Sequence, residues 1–174
     1  KNHVTSITKS NALGYMTIWD RTFEEVAEEY TDIDSGSLLI DAACMDLVRR
    51  PEIFDVIVAP NLFGDIITDI GAIISGSMGL ASSANINPDT SVPSMFEPTH
   101  GSAPDIAGQG IANPMAQILT AAMMLRHLGE EAAAADVDAA VLQLLEQGEI
   151  LTPDLGGSST TQGIGDAIAE LVSK

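Results

Sequence analysis

The sequence predicts an α/β protein whose sheet contains parallel strand pairs covered by helices. Two observations point there. Over the first 75 or so residues the hydrophobic period switches repeatedly between two and about 3.6. The resulting order, strand then helix three times over, requires crossover connections and therefore parallel pairing. A third observation describes the core. Apolar residues make up 45% of the chain and aromatic residues 4%, so the interior is built from Ala, Ile, Leu, Val and Met.

The elements follow in order. Val4–Thr8 reads as a short strand. Residues 15–30 carry Trp19, Phe23, Val26, Ala27 and Tyr30 at helical spacing on one face. Ser37–Ile40 reads as a second strand, and Ala42–Arg49 as a short helix stopped by Pro51. Phe54–Ala59 is an unbroken apolar-rich run that reads as a buried strand, and a helix from about Gly64 to Ile74 follows. Near Ser75 the rhythm breaks, which marks a candidate domain boundary. A turn-rich passage from Gly76 to Pro88 has room for a strand near Leu80. Met95–Glu97 reads as another short strand. A long loop without periodicity spans Pro98 to about Ala112, and such loops are often functional. Asn113-Pro114 reads as an N-cap and first helical residue, opening a helix to about Leu128 that stops at Gly129. A further helix covers about Glu131–Gln147. The glycine-rich Pro153–Gly157 precedes a last helix with Ile164, Ala167, Ile168 and Leu171 on one face. Met115, Met123 and Met124 read as core.

The formal net charge is −18, from 25 acidic and 7 basic residues. Such a surface repels phosphate backbones and anionic membranes, so neither nucleic acid nor membrane is an expected partner. The acidity fits either a high-salt habitat or simple solubility. No apolar run approaches the roughly 20 residues of a membrane span. The N-terminus lacks the layout of a signal peptide. Without an initiator Met, Lys1 need not be the natural start. The one cysteine, Cys44, allows no internal disulfide and fits a reducing, cytoplasmic setting. Its apolar neighbours make it a buried structural thiol rather than a nucleophile.

Two constellations could carry chemistry. In Asn61-Leu-Phe-Gly-Asp65-Ile-Ile-Thr-Asp69, directly after a strand, Asp65 and Asp69 stand four apart on one helix face. Two neighbouring anions with no cation beside them are best tolerated around a hard divalent ion such as Mg²⁺ or Mn²⁺. The alternative is that both complement the helix dipole and face water. Asp41 ends the preceding strand in the same way, and could join them or merely cap a helix. The second constellation is Glu97-Pro-Thr-His100-Gly101-Ser102-Ala103-Pro-Asp105-Ile-Ala-Gly108, with Asn113 soon after. Gly101 permits close backbone approach, Ser102 and nearby N–H groups can meet phosphate, and Asp105 can accept from a ribose diol. His100 is equally readable as a neutral loop imidazole with a backbone partner. Lys9, just past the first strand, reads as a solvated charge, or as a base if desolvated.

Together Thr8-Lys9-Ser10-Asn11, Asn61–Asp69 and Phe96–Gly108 continuing to Gly110-Ile-Ala-Asn-Pro114 resemble the β-decarboxylating dehydrogenases of hydroxy acids. These comprise isopropylmalate, isocitrate, tartrate and D-malate dehydrogenases. The resemblance runs through the whole chain but covers only the C-terminal half of that family. It implies the family's two-domain, non-Rossmann α/β fold. Residues 1–75 would be part of the small, dimer-forming domain and 76–174 part of the large NAD-binding domain. It also implies a homodimer with shared active sites, the missing N-terminal half lying elsewhere in the full protein.

Position by position, Lys9 resembles the base toward the substrate hydroxyl, and Asn11 the asparagine near substrate and nicotinamide. Asp41, Asp65 and Asp69 resemble the metal carboxylates, with Lys9 and Asp41 serving the neighbouring subunit's site. Glu97 would lie near the nicotinamide ribose. His100, Gly101, Ser102, Ala103 and Asp105 would wrap adenosine and phosphates, Asn113 would contact adenine, and Asp154 would lie near the adenosine. NADP-using relatives carry a lysine where this chain has Asp105. An acid there favours a free 2′-hydroxyl, so NAD is the expected cofactor. The implied reaction passes hydride from the hydroxyl-bearing carbon to NAD⁺, and CO₂ then leaves with metal assistance.

Ser83–Pro88, Pro93–Phe96 and Trp19-Asp20 resemble tartrate/D-malate dehydrogenases most, with 3-isopropylmalate dehydrogenase a close second. The carboxylate-binding arginines and catalytic tyrosine of the family are absent, so the isolated chain is expected to have little turnover. A non-catalytic dimerisation or nucleotide-binding module and a metal-dependent hydrolase are the competing readings.

Overall fold

The computed structural model describes residues 2–89 and 91–173. The chain divides into two compact units, Lys1–Ile74 and Ser75–Lys174.

In the first unit, β1 (His3–Thr8) is the middle strand of a three-stranded sheet, ordered β2-β1-β3. It pairs in parallel with β2 (Asp34–Leu39) and β3 (Val56–Val58). The parallel pairs follow from the crossovers α1 (Thr17–Ala27) and α2 (Ile40–Arg49), and α3 (Asn61–Ile74) follows β3. Ile7, Met16, Ala43, Leu47, Phe63 and Ile67 form the core. Burial alone would strand the Ser6 hydroxyl, 1% exposed. Trp19 Nε1 donates to it at 3.0 Å, which docks α1 on the sheet.

Three expectations need correction here. The segment around Val56 is not a buried central strand. It is a three-residue edge strand with Val56 54% exposed, because β1 takes the middle of the sheet. The following helix begins at Asn61, three residues earlier than expected, since Phe63 N and Gly64 N both donate to Pro60 O. Cys44 is partly, not fully, buried.

In the second unit, β4 (Ser82–Asn85) and β5 (Met95–Pro98) form an antiparallel hairpin that packs on α4 (Met115–His127). The Phe96 and His127 rings meet at 5.4 Å. The strand expected near Leu80 is β4, which begins at Ser82 directly after a 3-10 turn at Met78–Leu80. Helix α4 packs on α5 (Glu131–Gln147), and α5 on α6 (Thr161–Val172). Arg126 fastens the α4–α5 corner by bonding Glu131 at 3.0 Å and Asp138 at 2.8 Å. Met115, Val141, Leu144, Ile164 and Ile168 lie in the core, whereas Met124 is 38% exposed. Helix α4 starts one residue later than expected. Pro114 holds the N-cap position, and Asn113 Oδ1 accepts from Met115 N at 3.0 Å.

Candidate functional site

The strand ends of the first unit gather charge. Register pairs Thr8 with Leu39, so the residues that follow them leave the sheet side by side. Lys9 Nζ donates to Asp41 Oδ1 in an ion pair. That hydrogen bond, helped by one from backbone N–H, holds the Asp41 carboxyl below its ordinary range despite some desolvation. Asp41 is not a helix cap. Leu39 occupies that position, and Asp41 lies in the first turn of α2. The turn after β1 is closed by Ala12 N and Leu13 N, which both donate to Lys9 O. Asn11 lies exposed in that turn. Thr8, 3% exposed, donates to Asp20 Oδ1 at 2.9 Å and fixes the strand end from beneath.

Asp65 and Asp69 both lie on the exposed side of α3. Because the helix starts at Asn61, neither is in its first turn. The dipole effect fades within one turn, so dipole complementation explains them poorly. Among the described residues neither forms an ion pair. The same face carries Leu62, Ile66 and Ile73, 59%, 44% and 64% exposed. Two carboxylates set in an outward apolar stripe suit a hard divalent cation by donor type. Among the described residues, no three Asp, Glu, His or Cys side chains come together around a common point.

The second unit holds a cavity of about 910 Å³. Its wall includes His100, Gly101, Ser102, Ala103, Asn113 and Asp154. Asp105 is exposed and lies outside the lining, and so does Glu97 on β5. His100 Nδ1 lies 3.0 Å from Gly101 O. A carbonyl only accepts, so Nδ1 is the donor in this contact. Ala103 has φ +40°, a left-handed conformation rare outside glycine and typical of functional loops. Ile106 N donates to Ala103 O and closes that turn.

Sequence reasoning missed Ser77, Gly79 and Thr161, which also line the cavity. Thr161 N donates to Gly110 O at 2.8 Å, tying the loop to the start of α6. Thr160 caps that helix by accepting from Gly163 N. The Thr160-Thr161 pair before an apolar-periodic run was a readable capping signal. Ser77 gave none beyond its place among turn residues. Burial raises the Asp154 carboxyl, but hydrogen bonding from Ser77 and Asn113 outweighs it and holds the group below its ordinary range.

The family model described as isocitrate/isopropylmalate dehydrogenase matches residues 1–168. The chain is 53% identical to the "Probable tartrate dehydrogenase/decarboxylase" of Bacillus subtilis (strain 168), covering 100% of this chain and 49% of that protein. It is 49% identical to the 3-isopropylmalate dehydrogenase of Streptomyces griseus, covering 99% of this chain and 49% of that one. Among solved structures, isocitrate dehydrogenase from Methylococcus capsulatus superposes with a TM-score of 0.94 at 43% identity, covering 99% of this chain and 51% of that chain. The TT0538 protein from Thermus thermophilus gives 0.93 at 40% identity, covering 100% and 35%. The chain spans about half the length of the curated relatives it matches. Match, identity and superposition agree: the chain belongs to the isocitrate/isopropylmalate dehydrogenase family.

Proposed function

We propose that the whole protein is an NAD- and divalent-metal-dependent oxidoreductase that oxidises and decarboxylates a malate-type 2-hydroxy acid, most like the tartrate/D-malate enzymes. The observation that carries this reading is the second unit's cavity, walled by the His100–Ala103 loop, Asn113 and Asp154. Its backbone-rich, small-residue wall suits a dinucleotide, whose phosphates need N–H donors and close approach. His100, Gly101, Ser102, Ala103, Asn113 and Asp154 would hold NAD. Asp105 and Glu97 would join from outside the present lining, through the ribose hydroxyls.

Asp65 and Asp69 would hold Mg²⁺ or Mn²⁺, together with Asp41 of a second copy. Such an ion supplies Lewis-acid charge to the oxygens of a bound hydroxy acid. Lys9 would take the hydroxyl proton at Nζ and Asn11 would orient substrate and nicotinamide. Here Lys9 and Asp41 stand at adjacent strand ends joined by an ion pair, which Lys9 would have to leave, with loss of a proton, before acting as a base. The outward apolar residues of α2 and α3, Met45, Val48, Leu62, Ile66 and Ile73, support a homodimer with shared sites. Residues 1–75 would then belong to the small, dimer-forming domain, and 76–174 to the large NAD-binding domain. Among the described residues no helix is long and apolar enough to cross a membrane, and a cytoplasmic setting is in keeping with the chemistry proposed.

The test is a substrate panel on the whole natural protein with Mg²⁺ or Mn²⁺, following NADH formation. D-malate or tartrate is expected to be oxidised most efficiently. The nearly equal likeness to a 3-isopropylmalate dehydrogenase makes isopropylmalate the alternative substrate. No NADH from any of the three would reject the proposal.

A further inference from the structure

Three stretches far apart in the chain meet at one wall of the cavity. Ser77, 5% exposed, donates its hydroxyl hydrogen to Asp154 Oδ2 and accepts from Gly79 N at 2.9 Å. Asn113 Nδ2 donates to the same Oδ2 at 3.0 Å, and its Oδ1 accepts from Met115 N at 3.0 Å. One carboxylate oxygen therefore receives two side-chain donors. The Asn113 amide is held at both ends, and its orientation is dictated, because an amide oxygen cannot face an ionised carboxylate. Gly79 closes the remaining side. A Cβ there would stand 2.7 Å from Asn113 Cβ, so any larger residue must push Asn113 away.

We propose that Ser77 is a positioning residue for the nucleotide. It holds Asp154, and through it Asn113, in the arrangement that receives an adenosine-bearing ligand. The inference rests on the reading of this cavity as the dinucleotide site. Ordering completed before the ligand arrives is not charged against binding. Removing the Ser77 hydroxyl leaves the Asp154 carboxylate short of a donor and the Gly79 N–H without its acceptor. The Asp154 carboxylate, having lost one of its two side-chain donors, is then free to swing from this wall, and the Asn113 amide loses the fixed acceptor that imposed its orientation.

The experiment measures ADP-ribose binding by calorimetry to the whole natural protein and its variants, with circular dichroism to establish folding. Ser77→Ala is expected to raise the dissociation constant about tenfold. In an Asn113→Ala background the same substitution is expected to cost less than twofold, since its route is gone. A purely structural serine would cost the same in both backgrounds, and that result overturns the proposal. So does a folded Ser77→Ala protein that binds within twofold of wild type. Gly79→Ala displaces Asn113 without touching the hydroxyl, so it carries the test if Ser77→Ala does not fold. A rise in its dissociation constant supports the role of a preset Asn113, and wild-type affinity overturns it. If the wild-type protein itself fails to bind ADP-ribose, the cofactor reading falls, and this proposal with it.

Discussion

The two units solve opposite problems with similar material. In the first, the chemistry-bearing side chains lie on the outside. Lys9 and Asp41 leave adjacent strand ends, and Asp65 and Asp69 sit in an exposed stripe with Leu62, Ile66 and Ile73. In the second, His100–Ala103, Asn113 and Asp154 line a cavity formed by the unit's own segments, with Ser77 and Asn113 both bonded to Asp154. The difference teaches that a single folding unit can build a cavity from its own segments, whereas the carboxylates of the other unit are left on its surface. Their neighbours are apolar and exposed, which costs free energy until something covers them.

The largest expected effect separates the units by function. Asp65→Asn with Asp69→Asn in the whole protein should lower metal-dependent kcat/KM on the order of 1,000-fold, a loss of several kcal/mol of charge stabilisation. ADP-ribose affinity should stay unchanged. Equal loss of both would erase the distinction between the units.

Next come the two cores. Ile7→Ala and Ile164→Ala each empty a site that is 0% exposed and should each cost about 2–5 kcal/mol in denaturant unfolding. The chain has one tryptophan, Trp19, bonded to Ser6 in the first unit. Its fluorescence should therefore register Ile7→Ala directly, while far-ultraviolet circular dichroism reads the helices weakened by Ile164→Ala. Coincident shifts for both substitutions would mean that the units unfold as one.

A smaller change sharpens the proposed pairing of copies. Ile66→Asp adds a third anion to the α3 stripe and should raise the dimer dissociation constant about 30-fold, by roughly 2 kcal/mol, in sedimentation equilibrium. An unchanged dimer would move the interface elsewhere.

The smallest effect concerns Asp154. Its carboxyl is held below the ordinary carboxylate range in the folded protein. A depressed carboxyl stabilises the folded state above its unfolded value and loses that contribution as pH falls through the folded one. Asp154→Asn should therefore melt slightly below wild type near neutral pH. The gap should close as pH falls through the depressed folded value into strong acid. A gap that persists into strong acid would assign the loss to packing rather than charge.

Much of both units was legible because periodicity and capping are local. The α5 boundaries Glu131–Gln147, the last helix with Ile164 and Ile168 inward, and the β-α alternation all follow from residues within a few positions of each other. Where local signals competed, the reading slipped. The apolar run around Val56 looked buried, but an edge strand with one neighbour needs only one covered face. Pro60 accepts from the first turn of α3, which extends that helix to Asn61 past an apparently loop-like start.

By itself the sequence determined the strand–helix alternation of the first unit, the inward face of the last helix and the i, i+4 spacing of Asp65 and Asp69. Backbone geometry and hydrophobic period act over a few residues and need no knowledge of the rest of the chain. Only the tertiary structure decided that Lys9 meets Asp41, that Asp105 and Glu97 stand outside the cavity lining, and that Ser77 reaches Asp154 and Asn113. Those partners lie 32 to 77 residues apart. Their meeting depends on how strands, turns and helices close against one another, a condition that no local pattern encodes. The spacing of Asp65 and Asp69 suggested a cation site, and among the described residues no third acidic, histidine or cysteine side chain folds in beside them.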